Sequence, residues 1–186
     1  MPTSSLAAAV APAPAAGAPT LWRIAADAPG YTADDTTGAG ARMSGGRWNR
    51  PGTALLYTST SRALACLETV VHVLDAGLPL NRYLVEVTVP GADWAAREVF
   101  DPAAHVGWDA EPAGMVSLDW GTAWAASGRT LLAEVPSVIV PAEANVLINP
   151  AHPGAAGLHV RKVRRWLYDA RLLSAAATPG RRRRAH

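Results

Sequence analysis

Residues 54–77, ALLYTSTSRALACLETVVHVLDAG, change their period in mid-course, and that change sets the fold class. The opening ALLYTS (54–59) is a short apolar run and reads as a buried strand. From Ser61 onward Leu64, Leu67, Val71 and Leu74 recur at spacings of three and four, the period of a helix, and Gly77 supplies a stop. A strand thus runs almost directly into a helix, and the question is what surrounds them.

Upstream, LWRIA (21–25) reads as a first strand, followed by a long Gly/Asp/Thr-rich stretch to about residue 50. Connections of that length inside a compact domain usually carry function or move. Downstream, RYLVEVTVP (82–90) alternates Leu84, Glu86 and Thr88 against Tyr83, Val85, Val87 and Val89, the pattern of a half-buried strand closed by Pro90. Residues 101–116 have no period. SLDWGTAWAASG (117–128) predicts a second helix, weakened by Gly121 and ended by Gly128. Three apolar runs, TLLAEV, SVIVPA and NVLIN, read as strands from their Val, Ile and Leu content. LHVRKVRRWLYDARLL (158–173) reads as a strand entering a C-terminal segment. Few helices among many short strands, without regular βαβ alternation, imply one α+β domain with mixed or antiparallel short-stranded sheets. The Ala/Pro-rich residues 1–20 and the Arg-rich residues 174–186 are expected to be disordered flanks of a 21–173 domain.

Composition narrows the chemistry. The 186 residues are 49% hydrophobic and 17% charged, enough to bury a sizeable core. The formal charge of +2 misleads, because four of the seventeen basic residues form RRRR at 181–184; the body holds thirteen against fifteen acidic residues. No basic stripe marks the body as a nucleic-acid surface. The single cysteine, Cys66, excludes an intramolecular disulfide framework and a multi-Cys zinc site, and its apolar helical setting reads as a buried inert thiol. No apolar run reaches the roughly 18–20 residues of a membrane helix, and a reduced cytoplasmic setting is expected. GAGARM lacks the third glycine of a dinucleotide fingerprint, and no phosphate-binding GxxxxGK[ST], HExxH or GxSxG motif is present. The five histidines have no metal-ligand spacing.

What remains is a polar set in apolar or turn settings. Glu68 falls on or beside the apolar stripe of its helix, where a carboxylate is costly unless paired or used. It is either a boundary residue, snorkelling outward or pairing with His72 one turn on, or a functional carboxylate that could stabilise a cationic transition state or hold a ribose hydroxyl. Arg23 sits inside an apolar strand and needs an anionic partner, an internal carboxylate or a bound phosphate. Arg47 lies in GGRWNRPG (45–52), where glycines permit a close ligand approach or simply a corner. Tyr57 and Ser59 share one face of the first-quoted strand. Ser137 and Asn149 stand at strand ends beside Pro136 and Pro150, and both fit turn chemistry.

In order and combination, LWRIA, GGRWNRPGTALLYTSTSRALACLE, PSVIVP, NVLINPAHPG and WLYDARLL resemble the RES-domain toxins of bacterial RES–Xre toxin–antitoxin pairs. The resemblance covers residues 21–173. It implies an ADP-ribosyltransferase-like α+β fold acting on NAD⁺ as substrate, with no metal. Members break the nicotinamide–ribose bond, some degrading NAD⁺ by hydrolysis or phosphorolysis, others transferring ADP-ribose to a protein. NAD⁺ depletion is the leading expectation, protein ADP-ribosylation the second, and a non-catalytic nucleotide- or partner-binding module the third. Carried over by motif, Arg23 and Arg47 would hold the NAD⁺ phosphates and Tyr57 would line the nicotinamide–ribose site. Glu68 and Ser137 would be the family's Glu and Ser, with Trp48, Asn49, Ser59 and Asn149 in support. The implied partners are an Xre-like helix-turn-helix antitoxin, inorganic phosphate as a possible acceptor, and further copies in a toxin–antitoxin oligomer.

Overall fold

A computed structural model of the chain describes residues 19–71, 81–169 and 171–174. The expected leader and tail lie almost wholly outside these residues, as does His72, the proposed partner of Glu68. Among the described residues seven strands form one sheet: β1 (Thr20–Ala26), β2 (Leu56–Ser59), β3 (Arg82–Thr88), β4 (Glu98–Val99), β5 (Leu132–Pro136), β6 (Ala144–Ile148) and β7 (His159–Arg165). Their spatial order is β4-β5-β6-β2-β1-β3-β7, antiparallel throughout except for the short parallel β4–β5 pair. The helices are α1 (Ala39–Ser44), α2 (Arg62–Val70), α3 (Gly91–Ala95), α4 (Met115–Ser127) and α5 (Arg171–Ser174), with a 3₁₀ turn at Pro153–Gly157. The fold is α+β, as the element pattern implied.

Strand alternation distributes the core over both sheet faces. Leu21 and Ala25 of β1 join Val85, Val87, Val146 and Ile148 in one cluster, while Trp22 and Ile24 point the other way to meet Leu84 and Ala65 of α2. A third cluster gathers Trp48, Phe100 and Trp124 over Ala133, Val135 and Leu147. Residues from both faces of β3, Leu84, Val85, Val87 and Thr88, are buried, so this strand is central and not half-exposed.

Three expectations are corrected. SVIVPA is a turn: the Ser137 hydroxyl accepts hydrogen bonds from the Ile139 and Val140 amides, and the Ser137 amide donates to the Glu143 carbonyl. Those local bonds outcompete the strand propensity of Val and Ile, and the segment closes the β5–β6 hairpin. The long Gly-rich stretch is not wholly irregular, since Ala39–Ser44, beginning within GAGARM, form α1. The buried stripe of α2 is Leu64, Ala65 and Val70, whereas Leu67 and Val71 remain 36% and 44% exposed. Ser61 caps this helix through a 3.1 Å bond from the Leu64 amide, which fixes where the turn begins and hence which face carries Glu68 inward.

Gly121 is not a weakness in α4 but the condition for its docking. A Cβ there would lie 2.0 Å from the Trp48 carbonyl oxygen, so the helix and the 45–52 turn meet backbone to side-chain-free backbone. Alanine is favoured over glycine in a helix by about 1 kcal/mol, but overpacking against immovable backbone costs about 3 kcal/mol. Gly121→Ala is therefore expected to lower stability by about 2 kcal/mol net, read as a lower urea midpoint at unchanged m-value. An unchanged or raised midpoint would contradict this packing.

Candidate functional site

β1 and β2 are joined at a single register pair, Trp22 opposite Ser59. Beyond it the antiparallel partners of Ile24 and Ala26 would be Tyr57 and Leu55, and neither pairing forms. The strands part, and a cleft of about 710 Å³ opens there. Its walls include β1, β2, the inner side of α2 and the residues around α1.

One wall carries a carboxylate held from behind. Oε1 of Glu68 accepts a hydrogen bond of 2.8 Å from the Ser137 hydroxyl and another from the side-chain amide of Asn145. The Asn145 carbonyl oxygen in turn accepts from the Ser59 hydroxyl at 2.7 Å, which fixes the amide's orientation. Oε2 of Glu68 makes no hydrogen bond among the described residues. The side chain is thus oriented by one oxygen and faces the cleft with the other available. Ser137 is fully buried behind it and does not line the cleft, so its contribution is to hold Glu68.

Opposite stands Arg23. Burial pulls its pKa below the ordinary arginine value, an effect only partly offset by the nearby Asp35 carboxylate and the Tyr31 phenol. No hydrogen bond or ion pair among the described residues involves its guanidinium. A part-buried cation without a hydrogen-bond or ion-pair partner in a cleft gains from an anion that enters it.

Arg47 also lines the cleft but is already engaged. Nη1 donates to the carbonyls of Ala110 (2.8 Å) and Trp108 (3.3 Å), and Nη2 pairs with Glu111 at 2.9 Å. It fastens the 105–111 loop across one side of the opening. GGRWNRPG turns a corner and also faces the cleft: Gly46 and Asn49 exchange backbone bonds, while the amide of Trp48 donates to the Tyr57 hydroxyl at 3.0 Å. That hydroxyl donates onward to Asn49 Oδ1 at 2.7 Å and leaves no room for a side chain at residue 46, where a Cβ would lie 2.6 Å from it. Burial raises the pKa of the Tyr57 phenol despite the Trp48 amide and the nearby Arg47 charge, so it stays a neutral donor at physiological pH.

The remaining sequence-predicted residues divide by position. Ser59 lines the cleft beneath Asn145. The Trp48 ring is 2% exposed and packs among Phe100, Trp108 and Trp120, in the core cluster. Asn49 is fully buried, its amide donating to the Ala41, Arg50 and Thr53 carbonyls. Asn149 is outside the cleft, bonded to the Ala125 carbonyl and the Ala151 amide. Asn49 and Asn149 therefore brace the backbone of the site's surroundings. Cys66 is part-buried, and burial pushes its thiol pKa up. Among the described residues no cluster of His, Cys, Asp and Glu is placed to hold a metal, and no helix is long and apolar enough to cross a membrane.

The RES domain signature matches residues 20–170. The chain belongs to the RES-domain family of toxins. A protein of Sphingobium sp. (strain YBL2) called Prs ADP-ribosylating toxin is 61% identical over 157 residues, covering 84% of this chain and 98% of that protein. A Toxin Res of Yersinia enterocolitica is 37% identical over 122 residues, 66% of this chain and 79% of its own length. Another Toxin Res, from Pseudomonas putida, is 34% identical over 143 residues, covering 76% and 91%.

Within this RES domain, Asn145, Asp35 and Arg82 line the cleft without having been singled out from sequence. Asn145, the second residue of β6, stands opposite Ser59, a juxtaposition made by strand pairing across 86 residues. Only knowledge that β6 lies against β2 could have found it. Asn145→Ala leaves the Ser59 hydroxyl and Glu68 each short of one partner, and is expected to cost about 1–3 kcal/mol in urea unfolding. A loss below about 0.5 kcal/mol, the scale of a neutral surface change, would mean the network does not hold Glu68.

Proposed function

We propose that this RES-domain protein is the toxin of a toxin–antitoxin pair, which breaks the nicotinamide–ribose bond of NAD⁺ and passes ADP-ribose to a protein acceptor. The observation that carries the proposal is one cleft holding both an oriented carboxylate, Glu68, and a part-buried cation, Arg23, with no hydrogen-bond or ion-pair partner among the described residues. NAD⁺ offers a counterpart to each: a diphosphate for the guanidinium and a ribose that becomes cationic in the transition state for the carboxylate.

As the ribose C1′–N bond breaks, its electron pair leaves with nicotinamide, which departs neutral, and positive charge develops on the sugar. Oε2 of Glu68 stabilises that charge and accepts a hydrogen bond from the 2′-hydroxyl. An acceptor heteroatom then bonds to C1′ and releases its proton to solvent. Because Ser137 and Asn145 fix the carboxylate beforehand, little reorganisation accompanies charge development. Tyr57, a neutral donor fixed between Asn49 and the Trp48 amide, closes the nicotinamide–ribose side.

The protein acceptor is favoured over water or phosphate by the 61% identical relative, which is named for ADP-ribosylating Prs. The reaction takes place in the cytoplasm. The partner is a small helix-turn-helix antitoxin that covers the cleft mouth, where Val71 presents exposed apolar surface with Leu67 on the same helix.

The test uses NAD⁺ labelled in its adenylate half, incubated with purified protein and cell extract, following nicotinamide release and the fate of the label. Wild type is expected to release nicotinamide and place label on a protein band, with Glu68→Gln slower by roughly 10²–10³. Label recovered only as free ADP-ribose or its phosphate would replace transfer with NAD⁺ depletion. Intact NAD⁺ with both wild type and variant, phosphate present or absent, would remove the enzymatic reading and leave a binding module.

A further inference from the structure

Arg82 is the first residue of β3 and lines the cleft. Its Nε is fully buried with no hydrogen-bond partner, and Trp166 Nε1 is the other such buried side-chain donor among the described residues. The two lie at one corner, because the Trp166 amide donates to the Arg82 carbonyl at 2.8 Å. Among the described residues the Arg82 guanidinium makes no hydrogen bond: Tyr168, whose hydroxyl lies within its electrostatic reach, instead donates to Thr69 at 2.8 Å.

In register Arg82 stands opposite Ala26, at the end of β1, whereas Arg23 lies three residues earlier on the same strand. Paired residues share a sheet face and an offset of three reverses it, so the two arginines approach the cleft from opposite faces of the sheet. They do so along the stretch of β1 that β2 leaves unpaired. Arg47, by contrast, already donates to two carbonyls and a carboxylate.

Resting on the NAD⁺ reading above, we propose that Arg23 and Arg82 together seat the diphosphate of the dinucleotide. In this arrangement Arg47 is a positioning residue that fastens the 105–111 loop. A diphosphate has acceptor oxygens on both sides of its chain, which suits cations arriving from two faces. The Nε of Arg82, without a partner among the described residues, gains a charge-assisted bond, so ligand binding removes an existing penalty instead of breaking a contact.

The experiment is calorimetric titration of the full chain with ADP-ribose, which retains the diphosphate and does not depend on turnover. Arg82→Ala is expected to weaken ADP-ribose binding at least ~10-fold, the loss of one charge-assisted hydrogen bond. Arg161→Ala, which removes an equal charge from the exposed edge strand, is expected to stay within about twofold, as for a distant screened charge. In turnover, Arg82→Ala raises KM with little change in kcat, the mark of binding energy shared by ground and transition states. If the alanine variant melts early, Arg82→Gln is judged by the same criterion. ADP-ribose binding by a folded Arg82 variant within twofold of wild type overturns this inference and leaves the proposed function standing. Failure of wild type to bind ADP-ribose overturns both.

Discussion

The site depends on an incomplete strand pairing. β1 and β2 meet only at Trp22 and Ser59, although each pairs fully on its other side, with β3 and β6 respectively. Had the ladder continued, Ile24 would face Tyr57 and the interior would close. Stopping it after one pair leaves backbone groups to be satisfied by other means and opens a cleft in the middle of a sheet. Both flanking pairs are extensive, so the opening is held rigidly from either side. Such a site holds its polar groups on a rigid frame, in the orientation the fold sets.

That constraint also explains the distribution of polar groups. Ser59 lies at the last point of contact, Asn145 beside it on β6, and Glu68 above them on the helix that follows β2 directly. The three form a chain because the β2–α2 connection is only Thr60 and the capping Ser61. A longer connection would loosen the angle at which α2 leaves the sheet, and with it the direction of Glu68. Ser137 completes the anchor from the β5–β6 turn, whose own shape is set by the same hydroxyl that donates to Glu68. Fold and site share atoms here, so the turn cannot be redesigned without disturbing the carboxylate.

Sequence was most informative where chemistry is local. The strand-to-helix switch at residues 54–77, the β1 strand, α4 and the glycine that ends it were readable because periodicity and caps act over a few residues. Glu68 and Arg23 could be singled out because a charge within an apolar pattern needs a reason wherever the chain goes. SVIVPA was misread because its composition favours a strand while one serine hydroxyl, acting on two amides, favours a turn. The α2 stripe was misread because Leu67 and Val71 fit helical spacing as well as Leu64 does; which leucine is buried is decided by the sheet. Asn145 and Arg82 were illegible for a further reason. Each is an unremarkable residue at the start of a strand, and its importance arises only from what strand pairing sets beside it.

The arginines show why residue type and motif position do not settle role. Arg47 lies in the more ligand-like sequence, between glycines and a tryptophan, yet its guanidinium is committed to two carbonyls and Glu111. Arg23 lies in plain strand sequence and makes no hydrogen bond or ion pair among the described residues. A satisfied cation gives up contacts to bind an anion, whereas an unsatisfied one gives up only residual solvation, already reduced by burial. The two therefore differ in what binding costs even if their charges and distances to a ligand were equal. By that criterion the proposed anion seat draws on β1 and its neighbour β3, while the glycine-rich turn holds Tyr57 and the loop that flanks the opening.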